Sequence, residues 1–234
     1  MKHIVFLTGA GISAESGLST FRGKDGLWTR NEFLYYASTD CLENEPETSL
    51  EFYNYRRKHL AEVEPNKAHL LIAELEKKYK VTVVTQNVDN LHEKAGSTNI
   101  VHLHGEMTKV CSSRNRYDER YIREYPLTTP INVGDDAGDG SQLRPHVVMF
   151  GEMVTEFERA MTIVESADIF VIVGTSLAVS PANRLVHHTK VDVPVYVIDP
   201  NEIPGSEDMG FDHIKAVATE GMEILAEELQ EMEE

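Results

Sequence analysis

Apolar, β-branched runs recur along the chain at His3–Leu7, Val81–Thr85, Asn99–Leu103, His146–Phe150, Asp168–Val173 and Val193–Ile198. Each is too short for a core helix and lacks polar alternation, so each reads as a strand buried on both faces. Helical patterns separate them. One spans Glu47–Glu62 with Thr48 or Ser49 near its start. A second is capped by Asn66 and turns Leu70, Leu71, Ala73 and Leu75 inward, and a short third is closed by Gly96. Further helices are predicted over Glu156–Ser166, Pro181–His188 and Met222–Met232, with a short strand over Ile214–Val217. Strands alternating with helices predict an α/β fold, a doubly wound parallel sheet.

Two stretches break the alternation. Residues 24–65 and 106–145 lose strand character and read as two excursions from the core. The acidic, glycine-rich segment Gly134–Ser141 within the second excursion is expected to be its most mobile part.

The candidate chemistry lies at strand ends. After the first strand come Gly9, Ala10, Gly11, Ile12 and Ser13, a turn in which glycines allow a close ligand approach and the following helix amides favour a diphosphate. No third glycine completes the usual dinucleotide spacing, so the turn alone also fits plain turn chemistry. Phe21 and Arg22 then offer an aromatic face and a cation. Ligands in open parallel sheets sit beyond the carboxyl ends of strands, which should gather Asn87, Asp89 and His104 near that turn. Gly174, Thr175 and Ser176 form another small-residue strand end suited to phosphate or ribose.

With 234 residues the chain can bury a proper core, and its net charge of −17 argues against nucleic acid as a partner. Cys41 and Cys111 are the only cysteines, so a disulfide framework is not expected and a reducing, cytoplasmic setting fits. Met1–Leu7 is too short for a signal peptide and no run approaches a membrane span. A monomer away from membranes is expected.

Taken together, Gly9-Ala10-Gly11-Ile12-Ser13, Thr85-Gln86-Asn87-Val88-Asp89, His102-Leu103-His104-Gly105, Phe150-Gly151-Glu152 and Gly174-Thr175-Ser176 resemble the sirtuins, the NAD-dependent protein-lysine deacylases. The resemblance covers nearly the whole chain in the right order, and it implies a Rossmann-type large domain over residues 1–23, 66–105 and 146–234 with a smaller lobe built from two insertions, matching the excursions at 24–65 and 106–145. It implies acyl-lysine proteins or peptides as substrates, and free lysine, nicotinamide and O-acyl-ADP-ribose as products. It also implies that Asn87 and Asp89, with Ser13 and the Ile12 and Val88 backbone, hold the ribose and nicotinamide, and that His104 is the base on a ribose hydroxyl. Gln86, Phe21, Arg22, Gly174, Thr175, Ser176, Asn201 and Ala218 would complete the cofactor site, as would Asp199, where the family often has asparagine. Phe150, Gly151 and Glu152 would offer backbone to an extended peptide. His102 reads as a packed residue, and His92, His187 and His188 as helix-surface histidines.

Tyr53 and Arg56 lie three apart on a predicted helix and share a face. The pair resembles the Tyr-x-x-Arg of sirtuins that remove succinyl and malonyl groups, with Ala37 as the small residue that leaves room; packing of Tyr53 with Arg56 in solvent, beside Arg57 and Lys58, is the alternative. Most sirtuins hold the lobe with zinc on two cysteine pairs. Here Ser112, Ser113, Arg114 and Asn115 follow Cys111 without a partner thiol, and Asp135, Asp136 and Asp139 have no sensible ligand spacing. A zinc-free, softer lobe packed through Tyr117, Tyr121, Ile122, Tyr125, Leu127 and Ile131 is expected. Mono-ADP-ribosyl transfer and a non-catalytic NAD or ADP-ribose-binding role remain as alternatives. Hydride transfer is disfavoured, because no acidic ribose partner follows the first glycine turn at the expected place.

Overall fold

The computed structural model describes residues 1–18, 30–203 and 210–231. In chain order its elements are β1 (His3–Thr8), α1 (Ala10–Ala14), α2 (Arg30–Tyr36), α3 (Thr39–Asn44), α4 (Pro46–Leu60), α5 (Lys67–Leu75), β2 (Lys80–Thr85), α6 (Leu91–Ala95), β3 (Ile100–His102) and β4 (Gly105–Ser112). They continue as β5 (Arg123–Glu124), β6 (Leu143–Val147), α7 (Phe157–Glu165), β7 (Ile169–Val173), a 3-10 segment (Ala182–His188), β8 (Val195–Ile198), β9 (Asp212–Ile214) and α8 (Ala218–Glu231).

Six strands form one parallel sheet in the order β3-β2-β1-β7-β8-β9. The two halves meet at β1 and β7, which is the topological switch point of a doubly wound sheet. Both faces are covered, which explains why β1 reads as unbroken apolar sequence. Its Ile4 and Phe6 join a cluster with Ile72 of α5 and Met222 and Leu225 of α8, whereas Val5 and Leu7 join one with Ala160 and Val164 of α7 and Leu185. Each of these larger aliphatic and aromatic side chains contributes roughly 1.5–3 kcal/mol by leaving water. No helix among the described residues is long and apolar enough to cross a membrane.

A second sheet, ordered β5-β4-β6 and antiparallel, packs with α4 through Leu50, Val110, Ile131, Ala137 and Leu143. The sequence pattern missed β4 because its register shifts between Glu106 and Val110, breaking the period of two. It also placed a strand over His146–Phe150, whereas β6 ends at Val147. Pro145 is tolerated there because β6 pairs only with β4 and is an edge.

Other expectations shift with the packing. On α5 the buried residues are Ala68, His69 and Ile72, while Leu70 is half exposed. The helix predicted from Glu47 starts at Pro46, a favoured first-turn proline, and Ser49 lies within it, donating to the Tyr36 carbonyl (3.0 Å). The predicted strand over Ile214–Val217 lies earlier, as β9, and the last helix starts four residues before Met222. Arg57 is not in solvent but fully buried, donating to the Tyr125, Pro126 and Thr129 carbonyls. Tyr117 is half exposed and is not part of the lobe's core.

Cys111 is a buried thiol 3.8 Å from the Pro145 carbonyl, and beside it a hydrogen-bonded knot ties the segment expected to be mobile. Ser112 Oγ donates to Asp139 (2.7 Å) and accepts from the Arg114 and Asn115 amides (3.0 and 2.7 Å), while Asp139 also binds Ser141 and Asn115. Asp136 accepts the Gly138 and Gly140 amides. Ser112→Ala orphans two amides and should lower unfolding stability by about 1–3 kcal/mol. In denaturant melts that loss should appear in the variant, while EDTA leaves the wild-type midpoint unchanged.

His92, expected on a helix surface, is buried against His69, with ring centroids 4.9 Å apart. His187 is exposed, and His188 is half buried beside Glu165. Burial lowers the pKa of His69 from 6.5 to about 4 and that of His92 well below 6.5, so both rings are neutral in the folded protein. Their contribution is complete above pH 6.5 and is lost as the pH falls from there toward 4. His69 alone should cost about 2 kcal/mol of stability by pH 5. Denaturant midpoints of wild type and His69→Leu between pH 7.5 and 5 check this, since the variant should show the shallower fall.

Candidate functional site

Register brings the site together. Thr8 lies beside Thr85 and Val173, so the residues that follow, Gly9, Gln86 and Gly174, emerge side by side at the switch point. The Gly9 amide donates to the Val173 carbonyl (3.0 Å) and that of Gly11 to the Gly174 carbonyl (2.8 Å). A Cβ on Gly11 would lie 2.6 Å from Gly174 Cα, and one on Gly9 2.6 Å from Thr175 Cβ. The glycines are therefore required by the packing of the two turns on each other. Only Gly174 among these three has a positive φ, +62°. Since α1 is a single turn of five residues, the helix-start field expected there for a diphosphate is small.

Behind the turn sits a closed polar network. Asn87 donates its side-chain amide to the Gly9 carbonyl (3.0 Å) and to Ser13 Oγ (3.2 Å), and Ser13 donates to Asp89 (3.0 Å). Asp89 also caps α6 by accepting the Leu91 amide (3.1 Å). Burial raises its pKa, and the bonds from Leu91 and Ser13 work against that rise. The Asn87 main-chain amide is held by Thr85 Oγ1 (3.0 Å), itself tied to Thr8 and through it to His92. Thr8 and Thr85 were missed by sequence reasoning; two strands ending in threonine immediately before the motifs were the available signal. Asn87 Oδ1 is left without a partner among the described residues.

His104 follows β3, and its Nδ1 lies 2.8 Å from the Gln86 carbonyl. A carbonyl only accepts, so Nδ1 carries the proton and Nε2 keeps its lone pair. Burial lowers the pKa despite the Gln86 bond, which keeps the ring neutral and able to act as a base.

Gln86 donates to Thr175 Oγ1 (3.0 Å), linking the ends of β2 and β7, and Ser176 is exposed. Asp199 Oδ1 accepts the Asn201 amide (2.8 Å), leaving its Oδ2 available as an acceptor among the described residues. Ala218 is buried at the first turn of α8 and brings that helix start toward the site without a polar side chain. Phe21 and Arg22 lie outside the described residues.

The substrate-side expectations resolve unevenly. Ala37 and Tyr53 are buried in one cluster with Phe52, Met107 and Met149. Arg56 is not in solvent: its guanidinium lies 5.1 Å from the Phe33 ring centroid and 5.5 Å from that of Phe52. Burial pushes the Tyr53 phenol up to about 12, opposed by Arg144 and Arg56, and lowers the Arg56 pKa, opposed by Tyr53 and Asp89. Neither the phenol nor the guanidinium has a hydrogen-bond partner among the described residues. Phe150 differs from expectation, because its amide donates to the Ala37 carbonyl (2.9 Å) and its carbonyl accepts from the Thr39 amide (3.0 Å). Its backbone is thus already paired within the chain. The Glu152 carboxylate likewise serves the fold, receiving the buried Arg144 (2.7 Å), Arg116 and the Met149 amide (2.7 Å). Gly151, at φ +99°, turns the chain between them.

The Sir2 family matches over residues 9–181, more than half of the chain. A Bacteroides thetaiotaomicron protein named NAD-dependent protein deacylase is 53% identical over 226 residues, covering 96% of this chain and 97% of that one. A Helicobacter pylori protein of the same name is 45% identical over 232 residues, covering 99% of each chain. Among solved structures, a Sir2 homologue–NAD complex superposes with a TM-score of 0.86 at 37% identity, covering 99% of this chain and 90% of that one. A Sir2 bound to acetylated peptide gives 0.77 at 26% identity, covering 97% and 93%.

Proposed function

The chain belongs to the Sir2 family and is an NAD-dependent protein deacylase, and we propose that it removes acyl groups ending in a carboxylate, succinyl and malonyl, as well as acetyl. The observation that carries this reading is the pair of buried Tyr53 and half-buried Arg56, whose phenol and guanidinium have no hydrogen-bond partner among the described residues. A desolvated guanidinium and a neutral phenol on one helix face, with the small Ala37 in the same cluster, form a donor set that a carboxylate satisfies. Stacking of Arg56 on Phe33 and Phe52 orients the guanidinium before substrate arrives.

The residues at the switch point fit NAD. Two small-residue turns pack without side chains between them, and among the described residues Asn87 Oδ1 and Asp199 Oδ2 have no partner. When bound, NAD supplies the ribose carbon that accepts the acyl oxygen as nicotinamide leaves. Asn87, Ser13 and Asp89 hold the nicotinamide side of the pocket, and their mutual bonds fix them before binding. His104 Nε2 takes the proton of a ribose hydroxyl. Gln86, Gly174, Thr175, Ser176, Asp199, Asn201 and Ala218 line the remaining cofactor side.

The reading is tested with one lysine peptide carrying succinyl, malonyl or acetyl, following nicotinamide release. Succinyl and malonyl kcat/KM values at or above the acetyl value are expected. An acetyl preference beyond tenfold would remove acidic acyl groups from the proposal.

A further inference from the structure

His102 ends β3 with its ring held between two oxygens. Nδ1 lies 3.2 Å from the Asn87 carbonyl and Nε2 lies 2.6 Å from the Glu93 carboxylate of α6. A carbonyl and a carboxylate both accept, so both ring nitrogens must donate, and only an imidazolium does so. From this geometry we infer that His102 and Glu93 form a positioning pair, in which a charged imidazole pins the main chain of Asn87 and holds a positive charge beneath Asp89. The inference rests on the reading that Asn87 and Asp89 serve the nicotinamide side of the pocket.

The rest of the loop explains why this bond matters. The Asn87 amide is held by Thr85, its side chain by Gly9 and Ser13, and the Val88 carbonyl by the Met107 amide (2.8 Å). His102 supplies the hold on the Asn87 carbonyl. The titratable and charged groups around the ring are Glu93 and the neutral His92 from α6, Asp89 from the loop, and Glu106 with its partner Lys109 from β4. Burial by itself lowers the His102 pKa. The hydrogen bond and charge of Glu93, with the charge of Glu106, outweigh it and raise the pKa above 6.5. His102 in turn favours the ionised form of Asp89, whose own burial favours the neutral form. As pH rises through the elevated His102 pKa, the ring loses one of its two bonds and its charge, and the loop loses a fixed point.

The test uses the full chain. In histidine-labelled wild type, nitrogen NMR should show both His102 ring nitrogens protonated at pH 7. Glu93→Gln should lower the ring's pKa by about one pH unit or more. The alkaline limb of kcat/KM for NAD should move to lower pH in Glu93→Gln, return toward wild type in Glu93→Asp, and vanish in His102→Gln. A merely structural role would lower the melting temperature without moving that limb. A bare Nε2 in wild type at pH 7, whether facing a protonated Glu93 or bound to a metal ion, overturns the inference. So do variant pH profiles that superimpose on wild type in folded protein. Should the wild type release no nicotinamide from any acyl-lysine peptide, the deacylase reading fails by itself, and the NMR result still decides the state of His102.

Discussion

His104→Ala is expected to lower kcat on every acyl-lysine peptide by about 10²–10⁴-fold, the usual worth of a positioned general base. The Gln86 carbonyl fixes the tautomer that leaves Nε2 basic, and burial keeps the ring neutral. The alanine variant loses the base and leaves the contacts among Gly9, Ser13, Asn87 and Asp89 in place. NAD binding measured by calorimetry should therefore change far less than kcat. The pH dependence follows from the direction of the shift. A His104 pKa below 6.5 keeps the base competent at neutral pH, and the acid limb of wild-type kcat should lie below 6.5. A variant that retains a tenth or more of wild-type kcat would remove His104 from the role of base.

Arg56→Met should separate the acyl groups. A charge-assisted bond to a buried carboxylate is worth about 1.5–3 kcal/mol, so kcat/KM on the succinyl peptide should fall by roughly 10- to 150-fold. The acetyl group offers no carboxylate, and its kcat/KM should stay within about threefold. Methionine suits the test because its flexible thioether keeps the contact with Phe33 and Phe52 that the guanidinium makes. Equal loss on both peptides would make Arg56 a support for the cluster of Ala37, Phe52 and Tyr53 rather than a substrate contact.

The parallel sheet was legible because both of its faces are buried. Strands such as β1 and β7 then carry no polar alternation to confuse with a helix, and the motifs fall at their carboxyl ends by topology alone. The small sheet was not legible, because the register shift in β4 erases the period that would have announced it. Arg57 and His92 were misplaced for a related reason. Polar residues on helices read as surface, and only the arrival of three distant carbonyls for Arg57, and of Thr8 and His69 for His92, makes their burial tolerable.

The sequence by itself determined the alternation of strands and helices, the order of the five motifs, and the residue types from which the site's chemistry is drawn. These depend on local periodicity and on side-chain identity. Tertiary structure alone decided that Gly9 and Gly11 face Gly174 and Thr175, that Phe150 and Glu152 are engaged within the chain, and that Ser112 and Asp139 knot the lobe. It also decided which nitrogen of His104 bears the proton and that His102 faces two acceptors. The physical reason is the same in each case: hydrogen-bond partners and desolvation depend on groups distant in sequence, and they meet only when the chain has folded.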